Sequence, residues 1–308
     1  VRVAGEIDSE DARRIRHSLR GKVFKLSSGK CLRLLSIAPE GFIMRKSGPN
    51  GLKADPDVEM GEMNGHQAAT AVHGDQDVRG TPLKQIMRGM APWMFRHQTP
   101  DGDNRLSPLM LVNLWIPLDQ VTQPLTLMDR RTLDKRTHQL RYALPTESFL
   151  EREEETRVND IWTFLHDDNQ QWYFSSDMNA ANAYVFDTLG TPHGAAVLPG
   201  EELAERCYVA LRDAIADIRA GTPQVGQGET RTAVKNAATP DDCPPALAAA
   251  IKTMQILLGQ LETLKGKEAE ESWLANAAAA LDKVVRKSLE MRVVALHLPD
   301  VWPFNRTS

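Results

Sequence analysis

Residues 109–129 read LMLVNLWIPLDQVTQPLTLMD, an apolar run long enough for a helix but interrupted at Pro117 and Pro124. Proline lacks the backbone donor that a helix interior requires, so this run is expected as two short strands. The same grammar recurs along the first two thirds of the chain. KVFKLSSGKCLRLLSI, GFIMRKSG, RVNDIWTFLHDDNQQWYFSSDMNAANAYVFDT, HGAAVLP and RCYVALRDAI are strand-like runs with turn residues between them. Many short strands joined by turns fold into a closed or sandwiched antiparallel architecture. The expected fold is mainly β with α: a double-stranded β-helix, or jelly roll, with flanking helices.

The pattern shifts near Arg219. A capped helix starts near Ser9, and residues 50–82 are Gly-, Asp- and Pro-rich loop with short strands. Residues 220–245 read as a flexible connection. Beyond it, Leu247, Ile251, Met254, Leu258 and Leu261 recur at helical spacing. So do Trp273, Leu274, Ala277, Leu281, Val284, Val285 and Leu289. The expected organisation is a jelly-roll core over 1–219, a connection over 220–245 and a helical hairpin over 246–308. That hairpin would pack on the core or join two copies as a homodimer.

With 42% hydrophobic and 25% charged residues, the chain has enough apolar material for a core. The net charge is −4, and Lys and Arg are scattered, which speaks against a nucleic-acid or polybasic membrane partner. Cys31, Cys207 and Cys243 are odd in number and lack C-x-x-C spacing, so reduced thiols are expected. No apolar run reaches the ~20 residues of a membrane span, and the first residues lack a signal-peptide core. The expected location is the cytoplasm.

Chemistry enters at VHGDQ, residues 72–76. In a strand or its flanking turn, residues i and i+2 face one side, so His73 and Asp75 can converge on one point. Two ligands of a metal arrive in this way, as does an ordinary surface loop. GTPHGAA supplies His193 at a strand edge, giving two histidines and a carboxylate that leave one face of a metal open. LHDDN offers a rival pair in His166 and Asp168. However, several strands separate such ligands in a jelly roll, and His73 precedes His193 by 120 residues against 27 for His166. Arg206 and Arg212 in ERCYVALR would lie on one side of a strand, where an arginine fork holds a carboxylate. Plainer readings stand beside these. Arg212 suits a structural ion pair, Asn113 can satisfy backbone groups, and Trp115, Trp162 and Trp172 suit a core. Arg79, Arg88 and Arg96 fit a solvated face or a lid over an acidic substrate, and 151–157 an exposed acidic run.

Taken in order, VHGDQ, NLWIPLDQVTQPLTLMD, WYFSSDMNAANAYVFDT, TPHGAAVLP and RCYVALR resemble a family of Fe(II)/2-oxoglutarate oxygenases. That family is the hydroxylase/desaturase group of cephalosporin 7α-methoxylation, aspergillic-acid biosynthesis and gibberellin-desaturase-like proteins. The likeness runs from about Val72 to Arg212. Tyr208, Ala210 and Ala196 stand where the family has serine, glutamate and phenylalanine.

The resemblance implies that His73, Asp75 and His193 hold iron and that Arg206 holds the distal carboxylate of 2-oxoglutarate. Arg212 is the other arginine placed for that role. Asn113 and Trp115 would lie near the pocket, Asn113 toward the cosubstrate and Trp115, with Arg79, toward substrate. The reaction implied uses O2 and oxidises an unactivated C–H bond of a small metabolite, releasing succinate and CO2. Related halogenases lack the carboxylate that Asp75 supplies, so hydroxylation, desaturation or cyclisation is expected. Two other readings remain: a redox-silent jelly-roll metalloenzyme of cupin type, and a non-catalytic binding protein assembled through its helical tail.

Overall fold

A computed structural model describes residues 8–26, 28–54, 71–74, 109–119, 121–145, 158–188, 190–221 and 228–299. Its strands are β1 (Val23–Lys25), β2 (Lys30–Ser47), β3 (His73–Gly74), β4 (Leu109–Asp119), β5 (Leu125–Met128), β6 (Gln139–Pro145), β7 (Val158–Phe164), β8 (Trp172–Tyr173), β9 (Tyr184–Asp187), β10 (His193–Ala195) and β11 (Arg286–Pro299). Its helices are α1 (Ser9–Leu19), α2 (Lys135–His138), α3 (Glu201–Ala220), α4 (Gly228–Lys235), α5 (Pro245–Gln260) and α6 (Lys267–Lys283). The Asp8 carboxylate caps α1 by accepting the Asp11 N–H at 2.7 Å.

Two antiparallel sheets result, ordered β1-β2-β11-β4-β9 and β6-β7-β3-β10-β5-β8. Leaving aside the β1 edge and the run from β5 to β8, which stays in the second sheet, the chain passes back and forth between the sheets from β2 to β11. This interleaving is compatible with a jelly-roll core. The apolar run at 109–129 forms β4 and β5, one in each sheet, with the break near its second proline.

One face of the first sheet is apolar. Leu32, Leu34, Phe42 and Met44 of β2, Val112 and Leu114 of β4, and Leu289, Met291 and Val293 of β11 cluster with Ala12 and Ile15 of α1. Alternation sends the intervening residues to the opposite face, and there the chain places Arg45, Asn113, Trp115 and Glu290. A β-structure with charge turned inward runs against the usual economy of burial, and such exceptions gather at functional sites.

Three expectations are corrected. RCYVALRDAI is not a strand: it lies in α3, where Leu203, Cys207, Ala210, Leu211 and Ala214 form one buried helical face. The stretch 220–245 carries a helix, α4. The tail from 246 is not an appendage, because after α6 the chain extends into β11, which lies between β2 and β4 in the first sheet. Leu289, Met291, Val293 and Ala295 alternate with Ser288, Glu290, Arg292 and Val294, largely a period of two rather than 3.6.

Helices α3 to α6 are therefore an insertion between β10 and β11. They bury Leu211, Leu247, Ile251, Met254, Trp273 and Ala277 in a core of their own, which also takes in Val121 and Leu198. The indole of Trp273 donates to the Leu257 carbonyl at 3.0 Å, tying α6 to α5. No disulfide joins the three cysteines. Burial pushes the Cys207 thiol up to about 12, so it is inert at neutral pH.

Candidate functional site

A cavity lies between the sheets. The second sheet contributes His73 and His193, and the first contributes Arg45, Asn113, Trp115, Arg286 and Glu290. Its enclosed part measures about 20 Å³, room for one water molecule or one ion.

The histidines come from adjacent strands. His73 of β3 is the direct partner of His193 of β10, and their ring centroids lie 4.5 Å apart. Both rings are held in the same manner. His73 Nδ1–H donates to the Ala71 carbonyl and His193 Nδ1–H to the Thr191 carbonyl, each at 2.9 Å. A carbonyl oxygen only accepts, so Nδ1 is the donor in each ring, and in a neutral imidazole Nε2 then carries the lone pair. This tautomer, oriented through a backbone carbonyl, is the one that ligates metals. His193 is buried and packs on Phe186, with ring centroids 4.9 Å apart.

Charge faces them from the first sheet. The buried Glu290 carboxylate accepts from Arg45 Nε at 2.8 Å and from Asn113 Nδ2 at 2.7 Å, and Arg292 approaches it at 3.9 Å. Burial alone would raise the Glu290 pKa, but Arg45 and Arg292 outweigh it and hold the carboxyl well below the usual range. Arg286, at the start of β11, is 2% exposed. Its guanidinium donates to the Gln123 carbonyl at 2.8 Å and to Ser288 Oγ at 3.5 Å, and lies 5.2 Å from the Trp115 ring centroid. Its Nε has no partner, and no carboxylate among the described residues pairs with it. Burial, followed by repulsion from Arg45, lowers its pKa to about 9. It remains a cation at neutral pH, attracted by the Glu290 and Glu201 carboxylates but in a close ion pair with neither.

The fold brings together four of the residues singled out in the sequence: His73, His193, Asn113 and Trp115. Asp75 and Arg79, with Arg88 and Arg96, lie outside the described residues. Arg206 does not reach the cavity: it sits on the exposed side of α3. Arg212 on the same helix pairs with Asp213 at 3.5 Å. The reason is helical geometry, since the buried face of α3 packs on the other helices rather than on the sheets. The rival His166 and Asp168 stand 82% and 99% exposed in a turn. Trp162 and Trp172 are half-buried and line no part of the cavity. Three residues that do line it, Arg45, Arg286 and Glu290, escape the sequence reading. The polar alternation of Ser288, Glu290 and Arg292 through 286–295 was the available signal. Among the described residues, no three His, Cys, Asp or Glu side chains lie close enough to hold a metal.

The chain belongs to the oxidoreductase/YMDC permease-like domain family, whose model matches residues 43–199, just over half of its length. That span runs from β2 through both histidines and stops before the helical insertion. Among the described residues, no helix is long and apolar enough to cross a membrane. No curated protein matches the chain. Two solved structures of the iron and alpha-ketoglutarate-dependent endoperoxidase NvfI are similar to it. One, a single-substitution variant, shares 11% identity at a TM-score of 0.42, over 94% of this chain and 68% of that one. The other, in a different conformation, shares 12% identity at a TM-score of 0.38, over 92% and 63%.

Proposed function

We propose that this cavity is the centre of an Fe(II)/2-oxoglutarate-dependent oxygenase acting on a small metabolite. One observation carries the reading. Two neighbouring histidines, both locked in the metal-ligating tautomer, share a cavity with a buried arginine that has no carboxylate partner among the described residues.

The donor set fits the iron: His73 and His193 offer Nε2 lone pairs from adjacent strands, and Asp75 follows His73 by two residues as the carboxylate donor. Arg286 replaces Arg206 as the anchor for the distal carboxylate of 2-oxoglutarate. A guanidinium already stripped of water and held from behind by the Gln123 carbonyl loses little on binding an anion. Iron with its cosubstrate supplies O2 activation and oxidation of a C–H bond when bound. The chain's own work is positioning. The carbonyls of Ala71 and Thr191 orient the imidazoles, Trp115 covers one side of Arg286, and Glu290 fixes Asn113 and Arg45.

The test is anaerobic absorption spectroscopy. Protein with Fe(II) should develop a metal-to-ligand charge-transfer band on addition of 2-oxoglutarate. The band should vanish in His193→Ala and weaken in Arg286→Met. Iron binding with no band at any 2-oxoglutarate concentration would sink this reading in favour of a redox-silent metalloenzyme.

A further inference from the structure

The helical insertion reaches the cavity through a chain of hydrogen bonds that ends on Arg286. Glu201, the first residue of α3, is fully buried. Its Oε1 accepts the N–H groups of Gln123 at 2.7 Å and Leu198 at 3.0 Å. Its Oε2 accepts the N–H of Asn50 at 3.1 Å. A carboxylate has acceptor sites for all three, so no donor displaces another. Gln123 passes the constraint on, because its carbonyl accepts from Arg286 Nη1 at 2.8 Å.

Gln123 is held at φ 49°, a left-handed conformation that a residue with a side chain keeps only where its surroundings enforce it. The Glu201 carboxylate enforces it. Without that bond the turn relaxes, and the carbonyl that faces Arg286 moves with it. The other contacts of the guanidinium are weaker: Ser288 Oγ at 3.5 Å and the Trp115 ring centroid at 5.2 Å. Its direction in the cavity therefore depends on the Gln123 carbonyl. His73 and His193 are held separately, by pairing of β3 with β10 and by the Ala71 and Thr191 carbonyls.

We propose that Glu201 is a positioning residue for the cavity: acting through the Gln123 backbone, it fixes the direction in which Arg286 presents its guanidinium. The helical insertion thereby tunes the cation of the cavity from outside it. What this means for 2-oxoglutarate rests on the anchor role given to Arg286 above. The link from Glu201 to Arg286 stands apart from that role.

The experiment uses the full chain labelled with ¹⁵N-arginine, and Arg286→Met identifies the Arg286 Nε–H resonance by its disappearance. In Glu201→Gln the exchange of that N–H with water is expected to quicken about tenfold, as its surroundings open more often. Co(II) binding at the two histidines should stay as it is. Affinity of the Fe(II) protein for 2-oxoglutarate should fall about tenfold, the effect of a displaced anchor. In an Arg286→Met background the same substitution should cost no further affinity, whereas a purely structural role would add its loss in both backgrounds. Unmodified protein supplies a check that needs no variant to fold. There, Gln123 N–H and Arg286 Nε–H should open in one step and respond together to mild denaturant. Unchanged Arg286 exchange in Glu201→Gln, Co(II) binding lost in parallel, or separate opening of the two N–H groups overturns the proposal. Quickened exchange with 2-oxoglutarate affinity unmoved keeps the positioning link and removes Arg286 as the anchor.

Discussion

The backbone N–H of Gln123 donates to the Glu201 carboxylate at 2.7 Å, while the Gln123 carbonyl accepts from Arg286 at 2.8 Å. One residue thus links the first turn of the helical insertion to the cation in the cavity. Gln123 and Asn50 are the non-glycine residues with positive φ among those described, at 49° and 54°. Such a conformation costs about 1–2 kcal/mol per residue. Both donate their N–H to the same carboxylate, Asn50 at 3.1 Å, and Leu198 adds a third at 3.0 Å. Glu201, fully buried, holds two strained turns and the entry to α3 in one place.

Glu201→Gln should therefore destabilise the fold by about 1–3 kcal/mol, because an amide turns a donor toward one of three N–H groups. Chemical denaturation of the two proteins measures this. Identical midpoints would show that the clasp contributes nothing.

Glu290 supplies a pH dependence with a definite sign. Its folded pKa lies below its ordinary 4.5, so its contribution to stability is complete above that value. It is lost as pH falls through 4.5 toward the folded pKa. Glu290→Gln is expected to cost about 3–5 kcal/mol at pH 7, since Arg45 would be left without its charge partner. The gap between the two proteins should shrink in acid. Thermal unfolding from pH 7 to pH 3 follows it, and a gap that stays constant would assign the loss to packing.

For Arg286, stability and binding should part company. Arg286→Met removes a buried charge and is expected to leave the fold intact or firmer. Affinity for 2-oxoglutarate should fall by about 30-fold or more, matching loss of a buried charge partner worth at least 2 kcal/mol. Calorimetric titration into the Fe(II) protein reads the second effect. Unchanged affinity would place the anchor elsewhere.

His73→Ala and His193→Ala are each expected to abolish tight Fe(II) or Co(II) binding. His166→Ala, at an exposed turn, should bind as the unmodified protein does. Cobalt absorption in the three variants decides between the two H-x-D pairs. Binding lost only in His166→Ala would reverse the assignment.

Truncation before Arg286 should yield insoluble protein. It removes the strand that pairs with β2 on one side and β4 on the other, and with it Leu289, Met291 and Val293, each at most 2% exposed. A soluble, cooperatively unfolding fragment ending at Val285 would restore the tail to the status of an appendage.

Much of this site was legible because its signals are local. Pro124 marks the break in an apolar run, and the histidine of VHGDQ stands in a short strand. The histidine after Pro192 marks a strand edge. Each depends on a few neighbouring residues, and the fold places His73, His193, Asn113 and Trp115 around one cavity accordingly. Arg206 misled because RCYVALR supports two periods. Its alternation suits a strand, while Leu203, Cys207 and Leu211 also suit a helix, and the other helices supply the apolar partner that decides the matter.

By itself the sequence determined the strand-rich class, the helical periodicity of 247–283 and the identities of the two paired histidines, since backbone sterics and alternation act over a few residues. Tertiary structure alone decided that β11, after more than eighty residues of helical insertion, returns to lie between β2 and β4. That return carries Arg286 and Glu290 to Arg45 and Asn113, as far apart in the chain as Arg45 and Glu290, 245 residues away from each other. No local pattern encodes such a meeting. It follows from the need to fill the open hydrogen-bonding edges of two strands and to cover an apolar face with a segment whose alternation fits.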